Sequence, residues 1–169
     1  MKVIVNKEVE GSLRGRREVL ILALLTVLFY GCSGQLPANL GVADGKLSPC
    51  PDSPNCVSSF ADDEDHKIDP FKFSIPAEAL MQKLKSVVSG REGARIMEPK
   101  ELYLRAEFTS SFFKFVDDVE FLIDPNTNTL HCRSASRVGY SDMGANRDRI
   151  VAILKELESA IPPPAEEPS

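Results

Sequence analysis

Apolar and polar residues alternate along the middle of the chain, from residue 93 to residue 136. A period of two is typical of strands that bury one face of a sheet. Pro99 and the Pro-Asn-Thr-Asn run at residues 125–128 interrupt the alternation, and both are typical of turns. The pattern therefore predicts four strands, over residues 93–98, 101–110, 115–124 and 129–136.

Two flanking segments repeat apolar residues every three or four positions, which predicts amphipathic helices. The first helix follows a short strand carrying Phe71, Phe73 and Ile75, and it ends at Gly90. The second begins near residues 141–144 and ends before the prolines at residues 162–164. The buried stripes are Leu80, Leu84, Val87 and Val88 in the first helix, and Ile150, Ile153, Leu154, Leu157 and Ile161 in the second.

The element order β-α-β-β-β-β-α predicts an α+β fold, in which an antiparallel sheet of about five strands carries both helices on one face. Period-two alternation directs the apolar side chains of the strands toward the helices. It directs a polar set toward the opposite face, which we expect to be open to solvent. That outward set comprises Tyr103, Arg105, Glu107, Asp118, Glu120, His131 and Arg133.

The N-terminus has the pattern of an export signal. Three arginines at residues 14–17 precede an apolar run over residues 19–30, which is shorter than the about 20 residues that span a bilayer. The Gly31-Cys32 pair resembles a bacterial lipobox, although Phe29 and Tyr30 depart from its usual residues. Lipidation of Cys32, ordinary cleavage and an uncleaved anchor all remain open, and lipidation is the favoured interpretation.

This interpretation divides the chain into four parts. We expect an export signal over residues 1–31, a flexible tether over residues 32–48, one α+β domain over residues 49–161 and a disordered tail over residues 162–169. The expected location is the cell envelope. The chain would be anchored to the membrane and face the periplasm or the cell exterior.

The cysteine pattern agrees with export. Cys50 and Cys56 bracket the turn-rich segment CPDSPNC and are close enough to form a disulfide, which an oxidising compartment favours. A metal pair is the alternative, but a structural zinc ion needs four ligands and only His66 and His131 could assist. Cys132 lies in a predicted strand and is interpreted as a buried thiol. We expect no metal and no cofactor.

The chain is acidic, with a formal net charge of −5 over 169 residues. Proteins that bind a phosphate backbone present a basic surface, so nucleic acid is excluded from the predicted partners. The expected partners are a membrane, reached through the lipid anchor, and an envelope protein or an anionic small molecule.

Acidic, arginine and hydroxyl side chains are concentrated between residues 117 and 149, and three hypotheses account for them. The first is structural, with cross-strand ion pairs on the sheet and Ser141 or Asp142 capping the last helix. The second is a binding site, in which three arginines converge near the helix start and suit a carboxylate or phosphate. Its candidate residues are Arg133, Arg137, Tyr140, Asn146 and Arg147.

The third hypothesis is catalysis, in which Asp117 or Asp118 assists a serine nucleophile from the Arg-Ser-Ala-Ser segment. Such chemistry needs a base within hydrogen-bonding reach of the serine, and no motif of a known hydrolase is present. His131 is the nearest imidazole, but it faces away from Ser134. The polar cluster shared by all three hypotheses is Asp117, Asp118, Glu120, Ser134, Ser136 and Asp142.

Three segments, CPDSPNCVSS, FVDDVEFLID and RSASRVGYSDMGANRDRI, resemble in this order the bacterial and plastid family called domain of unknown function 1499. The resemblance covers about residues 50–157. It implies a small exported, lipid-attached or membrane-associated α+β domain, and it carries no established activity. The family motif corresponds to Cys50, Pro51, Asn55, Cys56, Asp117, Asp118, Glu120, Arg133, Ser134, Ser136, Arg137, Gly139, Tyr140, Asp142, Gly144, Asn146 and Arg147.

Together these patterns predict an envelope lipoprotein whose α+β domain is a non-catalytic module that binds an anionic small molecule or an envelope partner. The alternatives are a hydrolase that uses Asp117 or Asp118 with a serine of residues 133–136, and a purely structural factor in envelope assembly.

Overall fold

The computed structural model describes residues 34–161. The predicted export signal, the predicted lipidation site at Cys32 and the predicted tail after residue 161 therefore lie outside the described residues. Within them the chain forms an antiparallel sheet with two helices packed on one face, which confirms the predicted α+β class.

The main sheet has six strands in the order β3-β8-β7-β6-β5, with β4 also paired to β8. All of these pairings are antiparallel. The four long strands lie within two residues of their predicted bounds because their alternation is regular. The strands are β3 (Cys56–Ser58), β4 (Phe71–Lys72), β5 (Ala94–Pro99), β6 (Tyr103–Thr109), β7 (Val116–Asp124) and β8 (Thr129–Ser136).

Strand β3 was not predicted, because three residues are too few to show a period. It pairs with the end of β8 from Arg133 to Ala135, while β4 pairs with the start of β8 at Thr129 and Leu130. Two short strands therefore share the outer edge of β8. An unpaired edge would leave backbone donors and acceptors free to recruit another chain, so this arrangement protects the sheet.

The two helices are α1 (Ala77–Ser89) and α2 (Ala145–Ala160). Gly90 ends α1 as predicted, and its N–H donates to the carbonyl of Ser86 at 3.1 Å. Both apolar stripes face the sheet and enclose one core, because each helix must remove its stripe from water. The most deeply buried core side chains are Leu80, Leu84, Val88, Leu104, Val119, Phe121, Ile123, Leu130, Ile150, Ile153 and Leu157.

A small hairpin, β1 (Val42–Ala43) and β2 (Lys46–Leu47), lies within the predicted tether. Its turn at Asp44 and Gly45 has positive φ at both residues, 51° and 73°, which suits a tight hairpin connection. Strand β2 lies against β7 and β8, and Leu47 is buried there at 3% exposure. This part of residues 32–48 is therefore ordered on the domain, where a flexible tether was expected.

Candidate functional site

The sheet face opposite the helices carries a network of seven polar side chains, which we call the outer network. At its centre lies Asp118, which accepts hydrogen bonds from Arg137 Nε at 2.7 Å, from Arg137 Nη2 at 2.8 Å and from Arg105 Nη1 at 3.1 Å. Both arginines also contact Glu107. The members of the outer network are Tyr103, Arg105, Glu107, Asp118, Glu120, Arg133 and Arg137.

Glu120 is the second centre of the outer network. Its Oε2 accepts from Arg133 Nη1 at 3.1 Å, and its Oε1 accepts from the Tyr103 hydroxyl at 2.8 Å and from the Gly41 amide at 2.7 Å. One carboxylate thus joins three strands of the sheet to the segment that precedes β1. Cross-strand pairing explains the geometry, because Glu120 stands between Arg105 on β6 and Arg133 on β8.

The outer network is buried, so the prediction of a solvent-exposed polar face is wrong for most of it. Asp118 is 1% exposed, Glu120 is 0% exposed and Arg133 is 4% exposed. The period-two assignment of these side chains to the face opposite the helices was correct. Burial arises because the segment around Gly41 and Leu47 covers that face, as a third layer over the sheet.

Charge balance makes this burial tolerable. The outer network contains three arginines and three carboxylates, and a buried charge is costly unless it is paired and hydrogen-bonded. The hydrogen bonds that the Arg137 guanidinium donates to Asp118, and then to Glu107, raise its pKa above the usual value. Burial and the adjacent charge of Glu120 raise the pKa of the Tyr103 phenol. Both groups therefore keep one protonation state across the physiological range.

A second cluster, the inner network, lies on the helix side of the sheet at the start of α2. Asn146 is fully buried and donates to the carbonyl of Asn55 at 2.9 Å and to Ser136 Oγ at 3.0 Å. Its Oδ1 accepts from Ser134 Oγ at 2.5 Å and from Arg149 Nη1 at 2.6 Å. The members of the inner network are Asn55, Asp117, Ser134, Ser136, Asn146 and Arg149.

Arg149 completes the inner network. It donates to Asp117 at 2.5 Å and to Ser134 Oγ at 3.0 Å, and its guanidinium lies 4.9 Å from the centre of the Phe108 ring. Asp117 and Asp118 are adjacent on β7, so they point to opposite faces of the sheet and belong to different networks. The predicted polar cluster is therefore two separate clusters.

The three candidate arginines do not converge, which corrects the premise of the predicted anion site. Arg133 and Arg137 bind carboxylates on the outer face, whereas Arg147 donates to the carbonyls of Lys67 at 2.7 Å and Asp65 at 2.9 Å. Each guanidinium donates to an acceptor of the protein itself. Arg133 and Arg137 donate to carboxylates of the sheet, and Arg147 donates to carbonyls of the loop at residues 61–70.

The other candidate residues around the helix start have different surroundings. Tyr140 is 76% exposed, while Asn146 is buried in the inner network. Asp142 accepts from the amides of Gly144 at 3.0 Å and Asn146 at 2.7 Å, so it binds the start of α2 as the structural hypothesis expected. Its carboxylate occupies the amides that an anionic ligand would use.

The serine and carboxylate pair required for hydrolysis is not assembled. Ser134 is fully buried and bonded to an amide and a guanidinium, and Asp117 is bonded to Arg149. The described residues do contain a serine–imidazole pair elsewhere, Ser59 Oγ and His131 Nδ1 at 3.2 Å. There the Ser59 hydroxyl also accepts the Cys132 amide, and the His131 ring stacks on Phe60, which is a structural arrangement.

A groove of about 610 Å³ lies between the loop at residues 64–71 and α2, away from both networks. Arg147 lines it. The other charged residues of its lining are Lys67, Lys155, Glu64, Asp69 and Glu158, and this mixture of charges does not select an anion. The groove therefore does not restore the predicted anion site.

The disulfide prediction is confirmed, because Cys50 and Cys56 are bonded. Cys56 begins β3 opposite Ala135, so the bridge fixes the chain beside the outer network. Among residues 34–161 no group of acidic, histidine and cysteine side chains has the arrangement of a metal site. Neither α1 nor α2 is long and apolar enough to cross a membrane.

Cys132 is a fully buried free thiol, as predicted, and burial raises its pKa to about 12 from an ordinary value of 9.0. Above pH 9 the unfolded chain releases this proton while the folded chain keeps it. The contribution of this thiol to the free energy of unfolding is therefore fully present below pH 9. It is lost as the pH rises toward 12, by about 1.4 kcal/mol per pH unit.

We expect the wild-type free energy of unfolding to fall by about 1 kcal/mol more than that of Cys132→Ala between pH 8.5 and pH 10. Urea unfolding at both pH values measures the difference. Comparing how much the free energy of unfolding changes with pH in each protein removes the constant loss caused by the smaller side chain. Parallel pH profiles for the two proteins would show that the thiol titrates normally in the fold.

Sequence reasoning missed Arg105, Glu107, Asn55 and Arg149 as site residues. The first two were assigned to the same sheet face as Asp118 and Glu120, so pairing across adjacent strands could have linked them. Arg149 follows Asn146 by three residues, which places both on one face of a helix. Asn55 was named only as a residue of the family motif, within the CPDSPNC segment.

A comparison with protein families finds a match over residues 46–157, to the family described as Protein of unknown function (DUF1499). The matched span runs from β2 into α2 and includes every residue of both networks. No curated protein matches the chain.

Proposed function

We propose that this chain, which belongs to the DUF1499 family, is a non-catalytic domain of the cell envelope held at a membrane by a lipid on Cys32. One observation supports this most strongly. The segment that follows Cys32 is docked on the domain, through the bond from the Gly41 amide to the buried Glu120. A lipid at the start of a docked segment would restrict how the domain is oriented at the membrane.

The absence of catalysis is proposed from the state of the acids and serines. Catalysis needs a base and a nucleophile within reach of each other and of a substrate. In both networks the carboxylates are bonded to arginines, and the buried Ser134 is bonded to Asn146 and Arg149. These groups stabilise the fold, and most of them are buried.

The same bonds favour a membrane or an envelope protein as the partner over an anionic small molecule. An anion would have to displace Asp118 or Glu120 from Arg137 or Arg133, and both carboxylates are buried. Displacing them would leave unpaired charge in the interior, which is strongly unfavourable. The domain would therefore bind its partner through its exposed surface.

Metabolic labelling tests the anchor. The full chain is produced in a bacterial host supplied with a clickable fatty acid, beside the variants Cys32→Ser and Cys132→Ser. Wild type and Cys132→Ser are expected to take up label and to sediment with membranes. Cys32→Ser is expected to lose the label, and Cys132→Ser is the matched control because it changes the same residue type at a buried position.

Three outcomes would contradict the proposal. Label that persists on Cys32→Ser would place the lipid on another residue. An unlabelled wild type that still sediments with membranes would favour an uncleaved anchor, and an unlabelled soluble wild type would favour ordinary cleaved export.

A further inference from the structure

The turn between β6 and β7 exposes three phenylalanines. Phe112 is 84% exposed, Phe113 is 62% exposed and Phe115 is 42% exposed. The rings pack on one another, with centroids 4.8 Å apart for Phe112 and Phe113 and 5.4 Å apart for Phe113 and Phe115. None of them belongs to the hydrophobic core. We call residues 110–115 the aromatic tip.

The aromatic tip has the composition and backbone of an element that tolerates an apolar environment. Ser110 closes its base, because the Ser110 amide donates to the Phe115 carbonyl at 2.9 Å and Ser110 Oγ accepts the Phe115 amide at 3.0 Å. Lys114 is its one charged residue, and no acid occurs from residue 109 to residue 116. This is notable in a chain of net charge −5.

Other exposed apolar side chains lie at the same end of the sheet. The Arg137 amide donates to the Val116 carbonyl at 3.1 Å, so the loop that follows β8 begins beside the aromatic tip. That loop carries Tyr140, which is 76% exposed, and Met143, which is 97% exposed. Single exposed apolar residues are ordinary, but several large ones at one end of a domain indicate a contact surface.

The start of the described chain lies at this end as well. Gly34 is packed so closely on Arg137 and Val138 that an added Cβ would lie 2.7 Å from Arg137 Cβ and 3.0 Å from Val138 Cγ1. Cys32 precedes Gly34 by two residues, and two peptide units reach at most about 7 Å. A lipid on Cys32 would therefore enter the bilayer beside the aromatic tip.

We propose that the aromatic tip, together with Tyr140 and Met143, inserts into the interfacial region of the lipid bilayer. The inference rests on the proposed lipid anchor for its orientation. A bilayer fits this surface better than a protein does, because the anchor already brings lipid to this end. Aromatic rings beside a lysine are typical of elements that lie at the lipid–water boundary, and lysine pairs with anionic headgroups.

The absence of tryptophan from the chain permits a clean test. Phe113→Trp introduces a single indole at the aromatic tip. Asn126→Trp introduces one in the exposed turn between β7 and β8, at the other end of β7 and about 26 Å away along the strand. Each full-length variant is reconstituted into vesicles that contain phosphatidylglycerol and a phosphatidylcholine brominated on its acyl chains, because bromine quenches only an indole that reaches the acyl region.

We expect the indole of Phe113→Trp to be quenched and blue-shifted, and that of Asn126→Trp to be unaffected. A second measurement follows vesicle partition of full-length Cys32→Ser, with and without Phe112→Ser and Phe113→Ser together. The double substitution is expected to weaken partition at least about tenfold. Val151→Ser serves as the control, since it removes another exposed apolar side chain, on α2.

Each result has one meaning. If neither indole is quenched while the chain floats with the vesicles, the aromatic tip does not touch lipid, and the anchor proposal still stands. Equal quenching of both indoles, or a spectral shift that depends on protein concentration without lipid, would also overturn the inference. The latter would indicate contact with a second copy. If Cys32 takes up no lipid label, the anchor proposal is contradicted separately.

Discussion

Glu120→Gln is expected to lower the free energy of unfolding by about 3–5 kcal/mol, the usual cost of removing one partner of a buried ion pair. Glu120 is fully buried and is the one carboxylate bonded to Arg133 in the described part of the chain. Glutamine has the same shape but must turn its amide NH2 either toward Arg133 or toward the donors Tyr103 and Gly41. Either orientation opposes donor to donor.

Urea unfolding of the purified full chain measures this loss. The matched control is Glu156→Gln, because Glu156 forms an ion pair with Arg91 at 2.6 Å but is 53% exposed. Exposed pairs contribute at most about 1 kcal/mol, so the control should unfold almost as the wild type does. Since domains are stable by only about 5–15 kcal/mol, the two variants should differ visibly in midpoint. Similar small losses would mean that water reaches Glu120 and that the N-terminal segment does not seal the face.

Asn146→Leu is expected to cost about 2–4 kcal/mol, although leucine has the same number of side-chain heavy atoms as asparagine and the same branch point. The side chain of Asn146 satisfies four partners at the start of α2. Leucine would leave the buried hydroxyl of Ser134 without its acceptor and would remove one donor each from the Asn55 carbonyl and from Ser136 Oγ. A buried polar group that loses its partner costs about 1–3 kcal/mol.

The same substitution at an exposed site provides the control. Asn126→Leu lies in the β7–β8 turn and should change the free energy of unfolding by no more than about 0.5 kcal/mol. Urea unfolding compares both variants with the wild type. If Asn146→Leu were neutral, the inner network would be dispensable for stability, and its polar residues would become candidates for a binding role again.

Much of the fold could be predicted because its signals are local. Strands β5 to β8 and both helices each contain enough residues to display a period, and Gly90 marks the end of α1. The short strands β1 to β4 have two or three residues each, which is less than two full repeats of any pattern. β4 was predicted only because the alternation continues past it to Phe73 and Ile75, whereas β3 forms because β8 offers it a partner and β1 and β2 form by pairing with each other.

The site could be predicted only in part, for a related reason. Alternation correctly separates Asp117 from Asp118, but it does not say whether a face is covered. The cover comes from Gly41, which is 79 positions from Glu120 in sequence. The prediction that the arginines converge was wrong because each guanidinium binds an acceptor that the fold places beside it. For Arg147 the acceptors are the carbonyls of Asp65 and Lys67, on the loop at residues 61–70.

The N-terminal segment that covers the sheet also has a consequence for the order of folding. Its bond from the Gly41 amide to Glu120 closes over a very long stretch of chain, 79 positions. Contacts of such separation form slowly, since the intervening chain must first be ordered. We therefore expect the sheet to form before this segment docks on it, with the charged face of the sheet exposed to water until then.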